Sequence, residues 1–405
     1  MRRSEVRERL RELELAGLLR SRQCVEGPQG PRLQVDGRTF LAFCSNDYLG
    51  LANHPAPARA ARDAIERFGI GAGASAHISG HTSVHEELEE RLARFVGLPR
   101  ALHFSTGYMA NLGVLPSLIG PGDAVFSDRL NHASLIDAAR LSRAEVLVYP
   151  HCDVEALELR LRQSDHRAKL VATDAVFSMD GDLAPLPKLL ELCERYDAWL
   201  VVDDAHGFGV LGHNGSGSLA HWGLRSPRIV YIGTLGKAAG VFGAFAAADA
   251  EVIEWIVQRA RTYMFTTATP PPLAAALLAA LDVIESETWR RTHLAALIEC
   301  AGTRVSQLKC LGSPSASAIQ PLIVGDNTLA LTLMERLRQH GIWVPAIRPP
   351  TVPAGTARLR ISLSAGHTQE DVERLFQTLE ALYPKPVEST FHRQSGAGNE
   401  VEGPR

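Results

Sequence analysis

Cysteine is sparse and scattered in this 405-residue chain: Cys24, Cys44, Cys152, Cys193, Cys300 and Cys310 form no CxxC pair and no Cys/His cluster at zinc spacing. That argues against both a disulfide framework and a structural metal, and a reducing, cytoplasmic compartment is expected. No apolar run approaches the length of a membrane span. Charge of one sign is lacking too, with 42 Lys and Arg against 45 Asp and Glu and a formal net charge of −3. Neither nucleic acid nor an anionic membrane is therefore expected as a partner. The opening "MRRSEVRERLRELELAGLLR" has no apolar h-region and interleaves acids with its arginines, which reads as an amphipathic helix and not a signal peptide. No internal repeat is visible.

What is there is an ordinary globular composition, 45% hydrophobic and 21% charged, long enough for two or three domains. "RLQVDGRTFLAF" gives two alternating runs joined by Asp36-Gly37, a hairpin signal. Between about 100 and 250, short apolar runs ("RALHFS", "DAVFSD", "EVLVYP", "KLVATDAVF", "AWLVVDD", "RIVYIG", "GAFAAAD") alternate with helical stretches. Runs that continuous suit strands buried on both faces, so the expected class is α/β, a mostly parallel central sheet flanked by helices. After the long helix in "PPPLAAALLAALDVIE" the pattern becomes strand, helix, strands, helix, a smaller C-terminal α+β domain. The expected division is an N-terminal helix and hairpin segment at 1–50, a large domain at 51–285, a small domain at 286–384 and a disordered tail at 385–405.

In a parallel sheet, ligands sit beyond the carboxyl ends of the strands. That puts "SMDGD", "DDAHG" and "TLGK" on one rim. Asp203 ends one buried run, and Lys237 follows another. Lys237 is not a P-loop lysine, because Tyr231 stands at the required first glycine and Ala238 follows the lysine. A buried acid is costly unless it meets a cation, and pyridoxal 5′-phosphate (PLP) needs both groups. Its aldehyde takes a lysine amine, and its ring nitrogen takes a carboxylate. Its phosphate suits a helix start, which Gly107 and Tyr108 of "FSTGYMANLGVL" supply, and Thr234, three residues before the lysine, can add a hydroxyl. His132 offers a flat ring to stack on the pyridine. Two rivals fail. "GIGAGAS" follows a helical stretch where a dinucleotide fingerprint needs a strand. Ser178, Asp203 and His206 lack the G-x-S-x-G elbow of a hydrolase.

The segments "SNDYLGLANHP", "GAGASAHISGHTSVHEELEERLARFVG", "DRLNHASLIDAA", "VFSMDGDLAPLPKL", "VVDDAHGFGVLG" and "GTLGKAAGVFG" resemble those of the α-oxoamine synthases, PLP enzymes of transferase fold type I. The resemblance runs from about residue 15 to 380. It implies Lys237 as the lysine linked to the cofactor aldehyde and Asp203 as partner of the pyridine nitrogen. His206 would bond the ring oxygen, with Ser178 near the ring oxygen or phosphate. His132 would stack on the ring near the amino-acid carboxylate. Gly107, Tyr108 and Thr234 would complete cofactor binding, and Thr266 and Thr267 would reach the phosphate of the other subunit in a homodimer. Arg20, Asn46, His132, Arg348 and Thr351 resemble substrate-contacting positions.

"AIRPPTVPAGTARLRISLSAGH" is most similar to the members of biotin synthesis, which condense L-alanine with a pimeloyl thioester of CoA or of an acyl carrier protein. Sibling activities include glycine C-acetyl transfer, and some relatives are silent subunits that lack the lysine. The chain departs from the family pattern at Asp174, where Glu is usual, and at Ala76, where many relatives carry Arg. His77 and Arg22 are the candidates to substitute for that arginine.

Overall fold

The computed structural model describes residues 2–308 and 314–382. The tail expected at 385–405 lies outside the described residues, as does Cys310. Seven strands make the main sheet: β3 (Arg100–Phe104), β4 (Ala124–Asp128), β5 (Glu145–Tyr149), β6 (Lys169–Asp174), β7 (Ala198–Asp203), β8 (Ile229–Thr234) and β9 (Ala244–Ala248). Their order is β3-β9-β8-β7-β6-β4-β5, and β9 alone runs antiparallel to its neighbours. These are the seven apolar runs read from the sequence.

Alternation across the pleat explains why they are apolar throughout. Val171, Leu200, Val202 and Tyr231 enter one core, while Leu170, Ala172, Val201, Val230 and Ile232 enter the other. Helices cover both faces. The register pairs Asp174 with Asp203 and Asp203 with Ile232, so the carboxyl ends of β6, β7 and β8 form one rim.

Before this sheet come β1 (Arg32–Val35) and β2 (Arg38–Ala42), an antiparallel hairpin. Its turn residues Asp36 and Gly37 have φ of 50° and 69°, the left-handed pair that a two-residue hairpin favours. After it come β10 (Ile319–Gly325), β11 (Ile342–Trp343), β12 (Ala346–Ile347) and β13 (Ala357–Ser362). β11 pairs in parallel with β2, which joins the N-terminal hairpin to the C-terminal part, while β10, β13 and β12 make a third sheet.

The turn after β6 links the main sheet to β13. The carbonyl of Ser178 accepts from Arg360 Nε (2.6 Å), and that of Met179 from Arg358 (3.1 Å). Asp180 accepts from Arg358 at 2.6 Å, and the Gly181 carbonyl from Ser315 Oγ at 2.7 Å. Gly181 has φ of 75°, and a Cβ there would lie 2.4 Å from the Ile319 carbonyl, so only glycine fits. His151 anchors the turn from behind, bonding Asp128 (3.0 Å) and Asp182 (2.7 Å). Burial opposes its charge, but the two carboxylates reverse this and hold the imidazole at about 12. Among the described residues, no helix is long and apolar enough to cross a membrane.

Candidate active site

Lys237 follows β8 in the turn that "TLGKAAG" forms, and its Nζ lies 2.8 Å from His206 Nε2. Burial pulls the amine down to about 8, against the attraction of Asp203 and Asp174. His206 is buried beyond the end of β7, with Nδ1 2.6 Å from the Tyr48 hydroxyl. Its own proton affinity is well below the usual value, first through burial and then through Lys237 and Arg360. The imidazole is therefore neutral. With the ammonium donating to Nε2, Nδ1–H donates to Tyr48, and the Tyr48 hydroxyl donates to Asn46 Oδ1 at 3.3 Å. An amine, an imidazole, a phenol and an amide thus stand in line.

Asp203 ends β7 with its carboxylate buried. Oδ1 accepts the Ala205 N–H at 3.1 Å and Oδ2 accepts Asn111 Nδ2 at 2.6 Å. One lone pair on each oxygen remains for a ligand donor. His132 caps the helix Ala133–Ser142, and its Nδ1 lies 2.7 Å from Ser134 Oγ. Burial lowers its proton affinity, partly countered by Asp203. Asp174, one methylene shorter than the usual glutamate, still reaches the His132 N–H at 2.6 Å. Burial and the neighbouring Asp203 push its pKa well above the ordinary carboxyl value.

Gly107 and Tyr108 open the helix Gly107–Leu118, where Thr106 Oγ1 takes the N–H of Met109 at 3.1 Å. The first N–H groups of a helix have no partner within it and make an anion site. A Cβ on Gly107 would lie 2.9 Å from Thr234 Oγ1, so the helix start and the hydroxyl at the end of β8 adjoin. The Tyr108 hydroxyl bonds Asp137. Ser178 is half-buried on the turn that holds Arg360.

Three expected residues gather elsewhere. Arg20 donates to Thr351 Oγ1 at 2.8 Å, and Arg348 bonds the Gly17 carbonyl. Thr266 and Thr267 line a separate small cavity with Ala76, His81, His85, Glu89 and His103. Of the two residues considered for the role of the absent arginine, His77 bonds the Val257 carbonyl at 3.1 Å and packs edge-on against Tyr263, and Arg22 is exposed. Neither joins the Lys237 cluster.

The sequence reading missed Arg360, Tyr48 and Asn111. Arg360 is buried on β13 and donates to Asn46 Oδ1 (3.2 Å) and Ser362 Oγ (2.7 Å), with no carboxylate partner among the described residues. Its signal was "RLR", two arginines on one face of a strand. Asn111 stood as a single polar residue in an apolar stretch, and Tyr48 in the turn-rich "CSNDYLGL", and neither setting separates a site residue from a structural one.

This sheet order, with a lysine and an aspartate on neighbouring strand ends, defines a PLP-dependent transferase fold of type I. A family model described as aminotransferase class I and II matches residues 38–379. The 8-amino-7-oxononanoate synthase of Azoarcus sp. (strain BH72) is 59% identical over 366 residues, 90% of this chain and 94% of that protein. That of Nitrosomonas europaea is 58% identical and covers 94% and 99% of the two chains. Among solved structures, a serine palmitoyltransferase from S. paucimobilis with a bound PLP–myriocin adduct superimposes with a TM-score of 0.88 at 30% identity, covering 93% of this chain and 96% of that one. The 8-amino-7-oxononanoate synthase of Francisella tularensis gives 0.74 at 30% identity, covering 84% and 97%. The chain belongs to the 8-amino-7-oxononanoate synthase family within the class I and II aminotransferases.

Proposed function

We propose that this chain is a PLP-dependent C-acyltransferase that condenses L-alanine with a pimeloyl thioester, releasing CO2, in biotin biosynthesis. The observation that carries the reading is the meeting on one rim of an amine with lowered proton affinity, a buried carboxylate and a neutral imidazole. The residues fit PLP: a helix start beside Thr234 for its phosphate, Asp203 with free lone pairs for its ring nitrogen, and Lys237 for its aldehyde. When bound, PLP supplies an aldehyde that links to amines and a protonated ring that draws electrons from the bond being broken.

The protein's own work is then positional and acid–base. Lys237, with a pKa of about 8, is poised near neutral pH to take and return the α-proton of the amino acid. His206 and Tyr48 receive and orient that amine through their hydrogen bonds. His132, fixed by Asp174 and Ser134, offers its ring to the cofactor face and its outer nitrogen to the substrate carboxylate. Arg360 is the buried cation for the same carboxylate, held by Ser178, Asn46 and Ser362. Arg20 and Thr351, already joined, are the donors for the distant carboxylate of the pimeloyl chain, with Arg348 beside them. Thr266 and Thr267 serve the phosphate of a second copy in a homodimer. Residues 51–285 carry the cofactor, and 286–384 contribute Arg360, Arg348 and Thr351. The cytoplasm is the assigned compartment, supported by the free thiols of Cys24, Cys44, Cys152, Cys193 and Cys300.

The purified protein should turn over alanine with pimeloyl-CoA or pimeloyl carrier protein far faster than glycine with acetyl-CoA. The reverse order would replace this reading with that of a glycine C-acetyltransferase.

A further inference from the structure

We infer that Asn111 is a positioning residue that fixes the Asp203 carboxylate and the His132 imidazole together. This rests on the assignment of those two residues to the cofactor. Asn111 lies fully buried on the helix Gly107–Leu118, the same helix whose start faces Thr234. Its Nδ2 is 2.6 Å from Asp203 Oδ2 and 2.8 Å from Ser134 Oγ, so both amide protons are committed. Its Oδ1 is buried with no partner among the described residues. Burying an unsatisfied acceptor is unfavourable, and turning the amide over would aim that oxygen at a carboxylate. The orphan is what the forked donor requires.

Direction then follows along the chain. Ser134 Oγ accepts from Asn111 and has its own proton left for His132 Nδ1, 2.7 Å away. The Ser134 backbone N–H, which can only donate, also points at that nitrogen at 3.3 Å. Nδ1 is therefore an acceptor, and neutral His132 carries its proton on Nε2. One side-chain amide thereby sets the rotation of the carboxylate and the tautomer of the imidazole. It also ties both to the helix that opens at the phosphate position. His132 Nε2–H is left as a donor toward the ligand.

The test uses two variants of the holoenzyme. Asn111→Leu keeps the volume and removes both donors. Asn111→Asp keeps the shape but faces Asp203 with a second carboxyl, which donates only when protonated. The titratable groups around it are Asp203 on β7, Asp174 on β6, His132 before its helix and Lys237 after β8. Losing a hydrogen-bonded partner of a site residue typically costs about 10–100-fold. Asn111→Leu should therefore lose about that much kcat per bound PLP, with a smaller change in the KM for alanine and with weaker PLP retention on dialysis. Asn111→Asp should show the same loss at pH 8 and recover relative to wild type as pH falls.

Asp203→Asn and His132→Gln serve as references. If these two lose activity while both Asn111 variants keep kcat within about threefold of wild type, the inference is overturned and the site assignment stands. If the references keep activity too, the assignment itself fails. Should Asn111→Leu not fold, an Asn111→Asp activity ratio independent of pH overturns the inference alone.

Discussion

Replacing Lys237 by methionine should stabilise the cofactor-free protein, although it destroys the site. The amine falls from its ordinary 10.5 to about 8, chiefly through burial, even with Asp203 and Asp174 attracting it. Each pKa unit corresponds to about 1.4 kcal/mol, so holding the ammonium in the folded chain costs about 3 kcal/mol. The cost is fully present below pH 8, where the amine is protonated both folded and unfolded. It shrinks as pH rises from 8 to 10.5, where the unfolded chain binds more protons, and vanishes above that. Methionine is similar in length and never charged, so it stands in for the neutral amine. With an unfolding entropy of about 2.1 cal/mol/K per residue, a chain of this length should gain about 4 °C in Tm at pH 7. Thermal unfolding of the cofactor-free wild type and Lys237→Met from pH 7 to 10.5 measures the difference. Equal Tm values at pH 7, or an advantage that stays constant to pH 10.5, would refute the reasoning.

Asp203→Asn should retain the fold and some PLP but lose about 10²–10⁴-fold in kcat, because removing one member of a buried charge pair costs about 3–5 kcal/mol; steady-state kinetics normalised to bound PLP reads this. Arg20→Ala should raise the KM for the pimeloyl thioester about 10–100-fold, the worth of a hydrogen bond to a charged group, and leave the KM for alanine unchanged. Equal rises in both constants would move Arg20 out of the acyl site. Mixed dimers of Lys237→Ala and Thr267→Ala chains should regain activity that neither parent has, once the subunits exchange. Full activity of the wild type at dilutions where it sediments as a monomer would contradict a shared site.

Elements that obey a local rule were legible in the sequence. The seven apolar runs and the Asp36-Gly37 turn follow from burial on two faces and from left-handed backbone. Lys237 and Asp203 stood out because a charge closing an apolar run is anomalous, and His206 followed three residues beyond. Arg360 escaped notice because its meaning depends on a turn almost two hundred positions earlier. Tyr48 likewise acts through a partner more than a hundred residues away. Pairing between β2 and β11 has the same cause, since β11, with two residues, carries no period to read. Arg20 and Thr351 were named from family resemblance, and their hydrogen bond joins segments that no spacing argument connects.

Ser178 through Gly181 each hold one group of the C-terminal part. The turn therefore works as an alignment edge between the main sheet and the β10-β13-β12 sheet. The seat of the Arg360 guanidinium is set by this short mating surface together with Asn46 and Ser362. Selection for another amino acid or acyl chain can then rework the last third of the chain without re-registering the half that holds the cofactor.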